Sequence, residues 1–198
     1  VNITSATYQT TYGGGTQDFF VDNLAINGSA TNWGTYVGGN DNEVNMMGLN
    51  VDLNNDVYVL GYSTSKNFPA VTYPVQSATE DASKEDAVFF KLTGSNGATL
   101  QYSTYLGGNG DQNSDDPVGE RGIRFNNCRI YLAVTTQSPT FPLTQGALNA
   151  KKYSSTSNNE PILVSMANPP DLSGNSITGG NNQTITCGQT PQQITAGV

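Results

Sequence analysis

The sequence predicts an all-β protein built from a repeated unit of four short antiparallel strands. Three observations predict it. First, two stretches are near copies, Trp33-Gly34-Thr35-Tyr36-Val37-Gly38-Gly39 and Tyr102-Ser103-Thr104-Tyr105-Leu106-Gly107-Gly108, with their tyrosines 69 positions apart. A period that long is the mark of a propeller or solenoid, in which one supersecondary unit recurs. Second, apolar residues come in short runs bounded by Gly and Asn, and no stretch has helical periodicity. Third, apolar residues are only 35% of the chain and charged residues only 12%, yet it carries 10 Tyr, 7 Phe and 1 Trp. Disordered chains lack aromatics and carry high charge, so this composition reads as an ordered, loop-rich β protein.

The elements follow in order. Asp18-Phe19-Phe20-Val21-Asp22-Asn23-Leu24 corresponds to Asp86-Ala87-Val88-Phe89-Phe90-Lys91-Leu92, and a polar turn follows each, Asn27-Gly28-Ser29 and Ser95-Asn96-Gly97. The Thr-Tyr-[Val/Leu]-Gly-Gly stretch comes next as the expected second strand. Then comes a polar loop, short as Asn40-Asp41-Asn42-Glu43 and longer from Asn109 to Asp116. Gly48-Leu49-Asn50-Val51-Asp52 corresponds to Gly122-Ile123-Arg124-Phe125-Asn126, Val57-Tyr58-Val59-Leu60 to Ile130-Tyr131-Leu132-Ala133, and Ser65 to Pro69 corresponds to Ser138 to Pro142. Alternation places Leu49 and Val51 on one side of their strand and Asn50 and Asp52 on the other. Leu53-Asn54-Asn55-Asp56 is a hairpin turn of the Asn/Asp kind. Four consecutive antiparallel strands form the blade of a β-propeller.

Pro161 to Met166 begins a third copy, and Tyr8 to Gly15 resembles the tail of an earlier one. The expected organisation is therefore propeller-type repeats over 1–170, with full copies at 18–73 and 86–142 and partial copies at both ends. Residues 74–85 and 143–159 read as surface excursions between blades. Residues 171–198, rich in Gly, Asn, Gln and Thr, read as a linker or as the first strand of a following module. Two full copies are too few to close a ring, so further blades upstream and further modules downstream of the same longer chain are expected as partners.

The charge balance excludes some functions. Eight Lys and Arg stand against 16 Asp and Glu, a net charge of −8. No basic face exists to neutralise phosphates, which argues against nucleic acid. No apolar run approaches the roughly 20 residues of a spanning helix, so membrane insertion is not expected.

The ordered motifs Asp-Ala-Val-Phe-Phe-Lys-Leu (86–92), Tyr-Ser-Thr-Tyr-Leu-Gly-Gly (102–108), Gly-Ile-x-Phe (122–125) and Phe141-Pro142 resemble the SBBP beta-propeller repeat. Residues 18–69 resemble it too, with Trp33-Gly34 in place of Tyr-Ser. The resemblance extends over about 8–168. Two departures stand out: the Gly-Asn turn is Asn54-Asn55 and Asn126-Asn127, and Gly61 becomes Val134 in the second copy. Residues 179–188 are similar to the openings of Ig-like or PKD-like modules in large surface proteins of Bacteroidetes. The resemblance implies an exported, multi-domain, surface-attached bacterial protein, some of whose relatives are adhesins.

Candidate chemistry is sparse. With no histidine the commonest general base and metal ligand is missing, and no Gly-x-Ser-x-Gly elbow is present. No catalytic residue and no cofactor are therefore expected. Asp111, Asp115 and Asp116 form an acidic loop that offers oxygen ligands to calcium, against the alternative of a solvated loop; Asp52 to Asp56 offers the same at alternate positions, against a plain turn. Asp41, Glu43, Asp111 and Glu120 are the carboxylates available for glycoside hydrolysis, although nothing pairs them. Cys128 and Cys187 form a disulfide suited to an exported protein or are two unrelated thiols. Trp33 is a sugar platform if exposed and core if buried, and its place inside a strand favours burial. The recurrent Tyr36, Tyr58, Phe68, Tyr105, Tyr131 and Phe141 are expected to pack between blades. Two functions result: a non-enzymatic adhesion or scaffold module of a secreted or cell-surface protein, contacting surface glycans or other surface proteins, or a carbohydrate-binding or carbohydrate-degrading propeller.

Overall fold

The computed structural model describes residues 3–4, 7–71, 74–81, 83–93, 99–109, 122–126, 129–144 and 160–167. They contain nine strands and no helix: β1 (Phe19–Leu24), β2 (Thr31–Val37), β3 (Glu43–Val51), β4 (Val57–Ser63), β5 (Asp86–Leu92), β6 (Leu100–Leu106), β7 (Gly122–Asn126), β8 (Arg129–Thr136) and β9 (Glu160–Ala167). They form three sheets, ordered β1-β2, β3-β4-β5-β6 and β7-β8-β9, and within each sheet neighbouring strands pair antiparallel.

The four-stranded sheet is the expected blade, but its phase is not that of the sequence repeat. Its first two strands come from one copy and its last two from the next. The Thr-Tyr-Leu-Gly-Gly stretch is thus the fourth strand of a blade, where the repeat read alone made it the second. The reason is the register between Ser63 and Asp86, which continues through Tyr58↔Lys91 to Val57↔Leu92 without a break. β4 and β5 are therefore adjacent in the sheet although 22 residues, 64–85, separate them in the chain.

That long connection does not run between blades. It returns along the outer edge of its own sheet: Val71 bridges Ser103 of β6, the Ser103 hydroxyl donates to the Pro69 carbonyl, and the Tyr105 N–H donates to the Gln76 carbonyl at 3.1 Å. Residues before β1 do the same for β2, where the Tyr36 N–H donates to the Gln9 carbonyl at 3.0 Å. An open strand edge invites pairing with other chains, and both fourth-strand edges are covered in this way.

The sheets stack face to face. One cluster joins Phe19, Val21, Trp33 and Val37 of the first sheet to Val57, Val59, Val88, Phe90, Leu92 and Tyr105 of the central sheet, with Phe68 between them. A second joins Tyr58, Leu60, Tyr62, Phe89 and Leu106, on the opposite face, to Ile123, Ile130, Leu132 and Val134 of the third. The central sheet is covered on both faces, so every residue of β4 and β5 is buried. This accounts for their continuous apolar runs, since alternation is lost when both faces are covered. The first strands converge: a β-carbon on Gly48 of β3 would lie 3.2 Å from Gly122 Cα of β7.

The recurrent aromatics follow this stacking. Tyr58, Phe68, Tyr105 and Phe141 are buried, whereas Tyr36 and Tyr131, in the two outer sheets, are half-buried. Leu49 and Val51 share one side of β3 as alternation requires, but that side is not core: they are 54% and 45% exposed. Their counterparts Ile123 and Phe125 pack on the central sheet. The first sheet has only two strands among the described residues, and they leave the Leu49 and Val51 end of β3 uncovered.

The departure at Gly61 has a steric explanation. A β-carbon there would lie 2.5 Å from Cζ of Phe19 in the first sheet. One blade on, Ala87 replaces Phe19 and Val134 replaces Gly61, and both lie in the second cluster. The bulk has moved from one sheet to the facing one, and β8 keeps an unbroken register with β9. The Asn54-Asn55 turn is equally regular: Asn55 takes φ 62°, which Asn tolerates better than most residues.

Candidate functional site at the blade junctions

The polar residues that recur in the repeat converge where one sheet ends and the next begins. In the first junction the carboxylates of Asp18, at the mouth of β1, and Glu43, at the start of β3, close on Gly38. A β-carbon on Gly38 would lie 2.5 Å from Glu43 Oε2 and 2.6 Å from Asp18 Oδ1. The Ser63 hydroxyl donates to Glu43 Oε1 at 2.7 Å and the Gly39 N–H donates to Oε2 at 3.1 Å. Asp18 Oδ2 accepts the Gly13 N–H at 2.6 Å, and the Gln9 side-chain carbonyl accepts the Gly38 N–H at 3.1 Å.

Gly39 packs on Ser65, whose Cβ would be 2.6 Å from an added β-carbon. The Ser65 hydroxyl accepts the Asp41 N–H at 2.8 Å, and Asn67 accepts the Asn40 N–H at 2.8 Å. The loop that crosses from the first sheet to the central one is therefore tied down by the Ser-Lys-Asn stretch that follows β4.

The second junction repeats this arrangement. Asp86 closes on Gly107 and Ser138 on Gly108. Gln76 accepts the Gly107 N–H at 3.0 Å, as Gln9 does for Gly38, and the Thr140 hydroxyl accepts the Asn109 N–H at 3.0 Å. Each Gly-Gly pair is thus a double seat, one glycine for an aspartate and the next for a serine. Side chains larger than hydrogen have no room there.

Burial dominates the electrostatics. It pushes the Glu43 carboxyl up to about 7, with the hydroxyls of Ser65 and Ser63 and the Gly39 N–H opposing and the neighbouring Asp18 adding to the rise. Burial likewise raises Asp86 to about 6; the Thr79 hydroxyl and Glu80 N–H oppose, and the charges of Glu80 and Asp81 add.

These contacts decide the places of several sequence candidates. Glu43 is 2% exposed and its oxygens are used within the junction. Asp41 is exposed on the loop and accepts the Asn42 N–H. The two are not paired across an open cleft. Asp52 holds its own turn, with Oδ1 accepting the N–H groups of Asn54 and Asp56 at 2.9 Å and Oδ2 accepting the Tyr58 hydroxyl. Asp56 pairs with Lys91 at 2.7 Å, both nearly buried, and the Lys91 ammonium lies 5.2 Å from the Tyr58 ring centre. Trp33 is 4% exposed and belongs to the first core cluster. Asp111, Asp115, Asp116 and Glu120 lie outside the described residues, as do Cys128 and Cys187. Among the described residues no three acidic or thiol side chains are grouped to hold a metal ion.

Stacked antiparallel sheets joined by Gly-Gly seats define the repeat, and residues 32–69 match the family model for SBBP, a beta-propeller repeat. The chain carries an SBBP beta-propeller repeat. The matched segment contains β2, β3, β4 and the Ser65 to Pro69 stretch, so the SBBP unit spans a blade junction instead of a single blade. The corresponding stretch from β6 to Pro142 makes the matching glycine, serine and threonine contacts among its described residues. No curated protein and no solved structure matches the chain.

Sequence reasoning missed Asp18, Asp86, Gln9 and Gln76 as junction residues. The signal was present, because each pair recurs at the repeat offset. It is hidden because an acid beside a strand looks like a solvated end, and only the β1–β2 and β5–β6 pairings bring it onto the glycine.

Proposed function

We propose that the chain is a non-enzymatic scaffold module of a secreted or cell-surface protein, serving adhesion or spacing. One observation carries the reading: five carboxylates at the strand ends and turns are engaged in architecture. Asp18, Glu43 and Asp86 sit against the Gly-Gly seats, Asp52 closes a turn and Asp56 neutralises Lys91. What varies between copies is loop length, as in the stretch after each Gly-Gly, and loops on a rigid scaffold are where binding specificity accumulates. No helix among the described residues is long and apolar enough to cross a membrane.

The carbohydrate reading loses its aromatic platform with Trp33 in the core. A glycan array, run with chromogenic glycosides as a turnover assay, separates the two. The scaffold reading predicts no turnover and no glycan retention that depends on Asp41. Hydrolysis, or selective retention abolished by Asp41→Ala, would sink it.

A further inference from the structure

Two carboxylates face each other at the first junction. Glu43 opens β3 in the central sheet, and Asp18 leads into β1 in the first. Glu43 Oε2 and Asp18 Oδ1 lie 2.5 and 2.6 Å from the same point, the place of a β-carbon added to Gly38. The two side chains are within hydrogen-bond reach of each other.

The donors around the pair are one short. Glu43 Oε1 takes the Ser63 hydroxyl and Oε2 the Gly39 N–H. Asp18 Oδ2 takes the Gly13 N–H. Asp18 Oδ1 is sealed from water and receives no N–H or O–H from the described residues. A buried acceptor without a donor is costly, and two carboxylates in contact resist ionising together. A proton on Glu43 removes both costs at once, since it cancels one charge and gives Asp18 Oδ1 its donor.

The surrounding groups offer no other neutralisation. The influences on Glu43 are its burial, Ser65, Ser63, Gly39 and Asp18, none of them basic. Tyr12 and Tyr36 stand on the side of the first sheet, edge to face with ring centres 5.8 Å apart. Tyr105 comes from β6, is pushed up to about 12 chiefly by burial, and feels both Asp86 and Glu43. Its hydroxyl donates to the Ser65 carbonyl at 2.6 Å. Asp41 on the crossover loop and Lys66 after β4 are exposed.

The same spot ties the two sheets together. The Glu43 N–H donates to the Gln17 carbonyl at 2.8 Å. Asn42 Oδ1 accepts the Thr16 N–H at 2.6 Å and the Thr16 hydroxyl at 2.8 Å. The carboxyl contact of Asp18 with Glu43 adjoins the backbone bond of Gln17 with Glu43, so a force that parts the carboxylates pulls on that bond.

We propose that Asp18 and Glu43 share one proton that latches the first sheet to the start of the central one. With the proton bound, the crossover 38–43 is closed; its loss sets two adjacent anions against each other and loosens that crossover. Glu43 holds its proton up to about 7, above its ordinary 4.5. Closure is therefore full below about pH 4.5 and is lost as pH rises through about 7. The module is stiffest in mildly acid surroundings.

The test is amide exchange of Gly38, Gly39, Asp41 and Glu43 in the full chain, corrected for the intrinsic pH dependence of exchange. Between about pH 5 and pH 8 the opening equilibrium of these amides is expected to rise about tenfold or more. Asp18→Asn keeps an oxygen for the Gly13 N–H and turns a permanent donor toward Glu43, and is expected to abolish the rise. Glu43→Gln offers the donor from the other side and is expected to do the same. If burial alone holds the proton on Glu43, Asp18→Asn leaves the rise in place, and that result overturns the proposal. A flat profile in the unsubstituted chain overturns it as well. Protection restored at about pH 8 by about 1 mM calcium also overturns it and assigns the pair to a cation. Trp33 fluorescence reports whether the first sheet of each variant is folded. Should Asp18→Asn fail to fold, the carboxyl carbon resonances of the unsubstituted chain decide. Asp18 and Glu43 moving together through one transition support the shared proton, and Glu43 moving alone overturns it.

Discussion

The exchange of bulk between facing sheets makes a prediction whose sign reverses with context. Phe19 is 4% exposed and lies 5.7 Å from the Phe90 ring centre and 6.3 Å from that of Phe68. Phe19→Ala should cost about 3–5 kcal/mol through lost burial and the cavity left behind. Gly61→Val in the unaltered chain should cost about 1–3 kcal/mol from overpacking, because its first side-chain carbon would already be 2.5 Å from the Phe19 ring. Combined, the two changes rebuild the Ala87 and Val134 arrangement of the next junction. Adding Gly61→Val to Phe19→Ala should therefore raise stability by about 1–2 kcal/mol, a coupling of at least about 2 kcal/mol. Urea denaturation followed by Trp33 fluorescence measures all four proteins, since Trp33 shares the cluster. If Gly61→Val destabilises equally in both backgrounds, the steric account of the two junctions is wrong.

Other predictions follow from the junctions and the turn. The folded-state value for Glu43, about 7, lies above its ordinary 4.5. Its contribution is therefore full below about pH 4.5 and is lost as pH rises through 7. After allowance for solvent screening this is on the order of 2 kcal/mol, or about 5 °C in Tm; thermal melts of Glu43→Gln between pH 5 and 8 should lack that dependence. Gly107→Ala drives a methyl into Asp86 and should cost more than about 2 kcal/mol by chemical denaturation, with Gly107→Ala/Asp86→Ala recovering part of it. Asp56→Ala strands the buried Lys91 ammonium and should cost about 3–5 kcal/mol, while Asp56→Leu/Lys91→Met should be much closer to neutral in the same assay.

The strands were legible because their apolar runs and turns recur. Phe19 to Leu24, Val57 to Ser63 and Asp86 to Leu92 each form where the pattern places them. The phase of the sheets was not legible. Adjacency in sequence favours pairing across short turns, and nothing local in residues 64–85 announces that they loop back along β6 and leave β4 and β5 side by side. The exposure of Leu49 and Val51 was hidden for a related reason. Alternation gives the two sides of β3, but which side is covered depends on strands of the first sheet. Burial of Trp33 was legible from its place inside a strand. The acid seats were not, because Asp18 and Gly38 are 20 positions apart and meet only through the turn that brings β2 back beside β1.

The central claim is that a blade takes its first two strands from one copy of the sequence repeat and its last two from the next. Cross-strand backbone NOEs test it most directly. The account predicts contacts between β4 and β5 along the whole register from Val57↔Leu92 to Ser63↔Asp86, and no ladder between β2 and β3. A continuous ladder joining β2 to β3, with β4 and β5 apart, would contradict it.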